Sequence, residues 1–225
     1  MMLFAAGFGT RMGALTRDRP KPLIRVAGQT LLDHALAAAD AAGIACKVVN
    51  LHYRGEMIAA HLAGREDVVL SWERDRILDT GGGLRAALPL LGPGPVPTLN
   101  TDAVWTGDNP VAQLISSWDG GRMAALLLLG RPELLAGRDG PGDFDLGADG
   151  RIVRGGTLVY LGAQIIDGGS LYSIPDRVFS LNRVWDNLIA EGRAFGIIHR
   201  GGWCDVGHPE GIVAAEAMLR DHGHG

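Results

Sequence analysis

The sequence predicts an α/β fold of three layers, with helices covering both faces of a mostly parallel, Rossmann-like sheet. Two observations predict it. Apolar runs of strand length recur along the chain, and stretches with helical periodicity or helix start signals alternate with them. At 225 residues the chain is long enough to bury a full core without disulfides, so residues 1–225 are read as one domain.

The first strand candidate, Met1 to Ala6, runs into a glycine-rich loop. Thr30 and Asp33 form a capping-box pattern, and the helix they open continues through Leu36 and several alanines to a stop at Gly43. The next strand candidates are Cys46 to Leu51, Val68 to Trp72, Val96 to Leu99 and Ala124 to Leu129; helices over Arg54 to Leu62, Gly82 to Leu91 and Pro110 to Trp118 alternate with them. From Leu134 to Gly156 apolar residues thin out among glycines and aspartates, a long excursion holding a short hairpin. Val159 to Ile166 is the last strand candidate, followed by helices over Asn187 to Glu191 and Pro209 to Asp221, and the tail His222 to Gly225 reads as a frayed end rather than a metal site. Sheets of this type bind ligands beyond the carboxyl ends of their strands, so the chemistry is sought there.

Composition narrows the function classes. A formal charge of −4 without a basic stripe argues against nucleic acid as a partner. No apolar run is long enough to span a bilayer, and Met1-Met2-Leu3-Phe4 lacks the charged segment and cleavage site of a leader, so a cytoplasmic protein is expected. Cys46 and Cys204 form no closely spaced pair, which fits a reducing compartment, and Cys204 reads as a small buried thiol. Of the basic residues only Lys21 and Lys47 are lysines; in an arginine-rich chain a retained lysine hints at a place needing a compact point charge. Trp72, Trp105, Trp118 and Trp185 read as core or rim packing, and His34 and His61 fall on helices without a spaced partner that would make a zinc site.

Ala6-Gly7-Phe8-Gly9-Thr10-Arg11 follows the first strand directly. Glycines there let backbone amides approach an anionic oxygen, although a lone Gly-x-Gly also makes an ordinary tight turn. The dinucleotide fingerprint fails at Met12, and no Gly-Lys-Ser/Thr follows as a P-loop requires. Together with Pro20-Lys21-Pro22-Leu23, the segment Gly-Phe-Gly-Thr-Arg-Met resembles the signature of the sugar-phosphate nucleotidylyltransferases. That resemblance implies the nucleotide-diphospho-sugar transferase (GT-A-like) version of the fold. It implies a nucleotide site at Ala6, Gly7, Gly9 and Thr10, with Arg11 and Lys21 neutralising reacting phosphates.

Joining a triphosphate to a phosphate monoester forces two anions together, and a hard divalent cation held by one or two carboxylates is the usual remedy. Asp102 stands where an apolar strand stops, in Asn100-Thr101-Asp102, and Asp205 stands in Trp203-Cys204-Asp205-Val206-Gly207. Each is also compatible with a loop aspartate satisfied by backbone amides. Both segments resemble the family's aspartate elements, which implies that Asp102 and Asp205 hold Mg²⁺ and that Asn100 lies on the nucleotide side; Thr101 replaces the family's usual glycine. Asp79-Thr80-Gly81-Gly82-Gly83 heads a helix, so that side-chain-free space is needed there. The resemblance implies that Thr80 and Gly81 offer hydrogen bonds to a pyrimidine edge, whereas the residues alone also fit Thr80 as the helix N-cap.

The family's usual Glu-Lys-Pro element, whose lysine touches the sugar phosphate, has no counterpart here; Arg131-Pro132 and Glu133 do not match it. The short length, Asp-Thr-Gly-Gly-Gly, Asn100 to Trp105, Gly142-Asp143-Phe144 and Trp-x-Asp-Val-Gly resemble the family branch that acts on N-acetylmuramic acid 1-phosphate in cell-wall recycling. This implies UTP as co-substrate, in-line attack of the sugar phosphate on the α-phosphorus, and pyrophosphate as product. Asp143 and Gly162 would then flank the sugar, although a hairpin aspartate also makes Asx turns. The competing readings are a nucleotidylyltransferase for mannose or glucose 1-phosphate, a silent nucleotide-sugar-binding module, and a dinucleotide-dependent dehydrogenase. The last is disfavoured by Met12 and by Asn50 where an acidic residue should close the second strand.

Overall fold

The first strand, β1 (Met2–Phe4), leads through the loop and a 3-10 segment (Thr10–Thr16) into a two-residue ribbon of β2 (Arg25–Val26) and β3 (Gln29–Thr30). The computed structural model describes residues 1–137 and 140–223. The capping box expected at Thr30 is present. Thr30 Oγ1 accepts from Asp33 N–H at 3.1 Å, Asp33 Oδ2 accepts from Thr30 N–H at 3.3 Å, and α1 (Leu31–Ala41) follows.

β4 (Lys47–Leu51), α2 (Gly55–His61), β5 (Val68–Trp72), α3 (Asp79–Leu91) and β6 (Pro95–Asn100) continue the alternation. Next come the three-residue β7 (Ala103–Trp105), α4 (Pro110–Ser117) and β8 (Ala125–Gly130). The excursion contains β9 (Leu135–Ala136) and the hairpin β10 (Phe144–Leu146) and β11 (Ile152–Arg154), as expected. β12 (Val159–Asp167), α5 (Leu181–Ala190), β13 (Ala194–Ile198), β14 (Trp203–Asp205) and α6 (Pro209–His222) complete the chain.

The main sheet has seven strands in the order β13-β8-β12-β6-β1-β4-β5, with β12 alone antiparallel to its neighbours. It is the mostly parallel, mixed sheet expected. Strands such as β8, buried at every residue, carry continuous apolar side chains because helices cover both faces. One core layer packs Leu32, Ala35, Leu36 and Leu114 on the sheet; the other packs Leu84, Val184, Trp185 and Leu188 on its opposite face. Trp185 is core packing as read, its Nε1 donating to buried Gln164 Oε1 at 2.9 Å.

Four expectations are corrected. The helix placed over Asn187 to Glu191 starts at Leu181, because Ser180 caps it by accepting from Asn182 N–H. The helix expected from Gly82 starts at Asp79, whose φ of +61° is uncommon for a side chain. His222 is the last residue of α6 rather than a frayed end, and its Nε2 accepts from Gly107 N–H at 3.1 Å; His224 and Gly225 lie outside the described residues. Lys47 serves structure, not a ligand: it is buried, with Nζ 2.5 Å from Asp40 and 2.6 Å from Asp67.

A second sheet of three strands, β7-β14-β9, has no counterpart in the sequence reading. It positions the site. β7 leaves β6 after a two-residue break and pairs antiparallel with β14, setting Ala103 opposite Asp205.

Candidate active site

The glycine loop is held at its root by a chain of buried polar groups. Ala5 N–H donates to Asn50 Oδ1 at 2.8 Å, Asn50 Nδ2 donates to Glu73 Oε1 at 2.6 Å, and Glu73 Oε2 accepts from Leu78 N–H at 2.7 Å. The end of β4 is therefore tied both to the loop and to the entrance of α3, and each side-chain polar atom of Asn50 and Glu73 has a partner, as burial demands. Glu73 was missed in the sequence reading. The available signal was a carboxylate one residue past a strand, two positions beyond Ser71, which pairs with the Asn50 read only as a missing acid.

Gly9 has φ +64°, and a Cβ there would lie 2.8 Å from Lys21 Cβ. The glycine thus lets the Lys21 stem pass directly under the loop. Lys21 is 8% exposed and its Nζ donates to Asp102 Oδ2 at 2.9 Å. Asp102 is fixed from both sides: Thr101 Oγ1 donates to Phe4 O at 2.7 Å, and Asp102 O accepts from Val206 N–H at 2.9 Å. The β7–β14 pairing then brings Asp205 beside Asp102, although the two are far apart in sequence. Arg11 Nη1 stands 4.0 Å from Asp205 Oδ2, and a Cβ on Gly207 would meet both, at 3.1 Å and 2.6 Å.

These charges shape one another. Burial, and next the Asp102 carboxylate, raise the Asp205 pKa above the ordinary aspartate range; Lys21, Arg11 and His208 offset only part of this. Burial pushes the adjacent Cys204 thiol up to about 11, so it is the inert buried thiol expected rather than a nucleophile.

A cavity of about 320 Å³ opens at the carboxyl ends of the parallel strands, walled by Ala6, Gly7, Gly9 and Thr10 with Arg11, Lys21, Thr80, Asn100 and Asp102. An adjoining space of about 520 Å³ is lined by Asp205, Gly162, Arg11, Asn100 and Asp102, and a third of about 280 Å³ by Asp143, Asp79, Thr80 and Asn100 among others. Asn100 borders all three. A Cβ on Gly162, φ +78°, would lie 2.9 Å from the Asn100 side chain, so that glycine keeps Asn100 in place. Asp143 Oδ2 accepts from Tyr160 N–H at 2.9 Å, a bond to a distant strand rather than to its own turn.

The triple glycine is explained differently from expectation. A Cβ at Gly81 would lie 2.4 Å from the Phe179 ring, one at Gly82 2.5 Å from Arg177 O, and one at Gly83 2.6 Å from Glu73 Oε1. The space is filled by the protein itself. Gly81 N–H donates to Phe179 O at 2.9 Å, so it is not offered to a ligand, and Gly81 does not wall the cavities. Thr80 does wall the first and third of them, and is not an N-cap of α3; its Oγ1 accepts from Leu181 N–H at 3.0 Å, satisfying the start of α5. Gly81→Ala is accordingly expected to lower unfolding free energy by about 1–3 kcal/mol through overpacking, read as a shifted midpoint in urea. A midpoint equal to the parent's would refute the packing account.

Two carboxylates, two cations and amides around a strand-end cleft make an anion-handling centre. The oxygen-only donor pair Asp102 and Asp205 suits a hard divalent ion, since Mg²⁺ takes one or two protein carboxylates and fills the rest with water and phosphate. Among the described residues no group of three or more His, Cys, Asp and Glu gathers as a denser metal site.

Residues 1–139 match the MobA-like NTP transferase domain. The chain is 41% identical, over 98% of its length and 96% of the relative's, to the N-acetylmuramate alpha-1-phosphate uridylyltransferase of Caulobacter vibrioides. It is 32% identical to the protein of the same name from Neisseria meningitidis, with 96% of each covered. Among solved structures it resembles a putative glucose-1-phosphate thymidylyltransferase from Bacillus anthracis, with TM-score 0.81 and 15% identity over 98% of this chain and 94% of that one. It also resembles the UDP-glucose pyrophosphorylase of Acinetobacter baumanii, with TM-score 0.75 and 17% identity over 96% and 90%. At those identities the structural likeness speaks for the fold.

Proposed function

The chain belongs to the sugar-phosphate nucleotidylyltransferases that carry the MobA-like NTP transferase domain, and from that premise we propose that it makes UDP-N-acetylmuramic acid and pyrophosphate from UTP and N-acetylmuramic acid 1-phosphate. The observation that carries this reading is the convergence of Asp102, Asp205, Lys21 and Arg11 at the mouth of the glycine-loop cavity, in a chain 41% identical to an enzyme named for that reaction.

The loop from Ala6 to Thr10 cradles the triphosphate, and Thr80 and Asn100 stand on the nucleotide side of the cleft. Gly162 and Asp143 border the two further spaces open to the sugar. Asp102 and Asp205 would hold Mg²⁺, which when bound would supply positive charge to the phosphate oxygens. Lys21, beside Asp102, and Arg11, exposed at the mouth of the site, meet the charge that builds at the α-phosphorus as the sugar phosphate attacks in line. No protein nucleophile is required, because the phosphate oxygen is one. Residues 1–225 act as one catalytic domain, since the site needs Gly9 and Asp205 together. UTP, and the absence of any described helix long and apolar enough to cross a membrane, fit work in the cytoplasm on cell-wall recycling.

More distant relatives are mannose-1-phosphate guanylyltransferases, such as that of Hypocrea jecorina at 25% identity, of which the chain spans 63%. Pyrophosphate release is therefore measured with UTP and GTP against the 1-phosphates of N-acetylmuramic acid, mannose and glucose, with and without Mg²⁺. The reading expects Mg²⁺-dependent release with the first pair far above the rest. Preference for GTP and mannose 1-phosphate would replace it, and no release with any pair would favour a silent binding module.

A further inference from the structure

The substrate proposed above carries two separate anions, the reacting phosphate and a carboxylate on the lactyl ether of the sugar ring. Lys21 and Arg11 attend the phosphate side. Among the described residues, the third cavity, joined to the first through Asp79, Thr80 and Asn100, is lined by one basic residue, Arg154. Resting on that reading of function, we infer that Arg154 is the residue that recognises the sugar's carboxylate and so sets acceptor specificity.

Arg154 ends β11, opposite Phe144 in the hairpin. Its guanidinium lies 4.9 Å from the Phe144 ring centroid and 5.7 Å from that of Trp185, so an apolar floor holds it. Nε donates to Asp186 Oδ1 at 2.7 Å and Nη2 to Asn182 O at 2.9 Å. Two bonds fix the plane of the fork, while Nη1 has no acceptor among the described residues. A rigid, always-charged donor with an unspent edge on a cavity is suited to a carboxylate. The start of α5 at Ser180, Leu181 and Asn182 borders the same cavity and adds the positive end of its dipole. Among the other polar walls, Asp79, Asp143 and Asn100 offer acceptors that suit the hydroxyl and amide donors of an acetamido sugar rather than a second anion.

The test compares the sugar 1-phosphate with its carboxamide, which keeps shape and phosphate but removes the charge, using Arg154→Gln and Arg154→Lys. The parent enzyme is expected to prefer the acid in kcat/KM. Arg154→Gln is expected to lose roughly 10- to 100-fold on the acid, the usual range for a hydrogen bond to a charged group, with little change on the carboxamide and an unchanged KM for UTP. Arg154→Lys should recover part of the preference. An unchanged UTP KM also reports that the fold survives. Equal losses on acid and carboxamide would move Arg154 to the phosphate and overturn the inference, as would a parent enzyme indifferent to the charge. Failure of the parent enzyme on both acceptors is a different result, and sinks the proposed function itself.

Discussion

Asp205→Asn is expected to cut turnover by at least about 10³-fold, the scale of several kcal/mol that a catalytic metal contributes, while raising the melting temperature of the metal-free protein. The two effects share one cause. In the fold Asp205 titrates above its ordinary range because it is buried and faces Asp102. Its protonated form is thus favoured by folding, and the fold loses stability as pH rises from the ordinary aspartate value through the raised one. Asn removes that cost without changing the shape. The variant's advantage is therefore absent in strong acid, where Asp205 is protonated in both states, and grows as pH rises from the ordinary aspartate value through the raised one.

Asp102→Asn is expected to lose turnover equally but to move stability the other way, because it strips the partner from Lys21, whose side chain is 10% exposed. Melting curves of parent and both variants from pH 4 to 8, with and without Mg²⁺, check this. Mg²⁺ is expected to stabilise the parent and neither variant. Opposite signs for two aspartates of one metal pair distinguish this account from generic damage, which lowers both. Either variant retaining activity would end the metal assignment.

Legibility in the sequence followed the length of the signal. The strands of the main sheet other than β13 were readable because each is a run of apolar residues, and Thr30 with Asp33 announced α1 with two residues of known reciprocal geometry. β13 escaped because Ala-Phe-Gly-Ile-Ile is a short run with a glycine at its centre, and β7, β9 and β14 because two or three residues carry no period. Yet the small sheet is what joins Asp102 to Asp205. That pair was named through resemblance to a family, not through any local pattern that forces the two together. Glu73 was silent for the same reason, since its partners Asn50 and Leu78 become neighbours only when β4 and β5 pair. Rarity of lysine was a half-guide: it pointed to Lys21, but equally to Lys47, whose role is a buried ion network at the opposite end of β4 from Asn50.

Lys21→Arg is expected to lose about 10²- to 10³-fold in kcat, the cost seen when one preorganised donor to a developing anion is removed, although the charge is kept. The reason lies under the glycine loop. A Cβ at Gly9 would stand 2.8 Å from Lys21 Cβ and 3.6 Å from Cδ, so the lysine stem already runs against the loop backbone. A wide planar guanidinium has no such path to the Asp102 carboxylate, which the slim Nζ reaches at 2.9 Å. Arg11→Lys, at a side chain 69% exposed, changes a group free to readjust and should cost several-fold less. Steady-state kinetics at saturating UTP, with circular dichroism to show that the fold persists, compare the two. A Lys21→Arg enzyme within about threefold of the parent's kcat, a change under 1 kcal/mol in the barrier, would mean that any positive charge suffices there and that the close passage beneath Gly9 is packing alone.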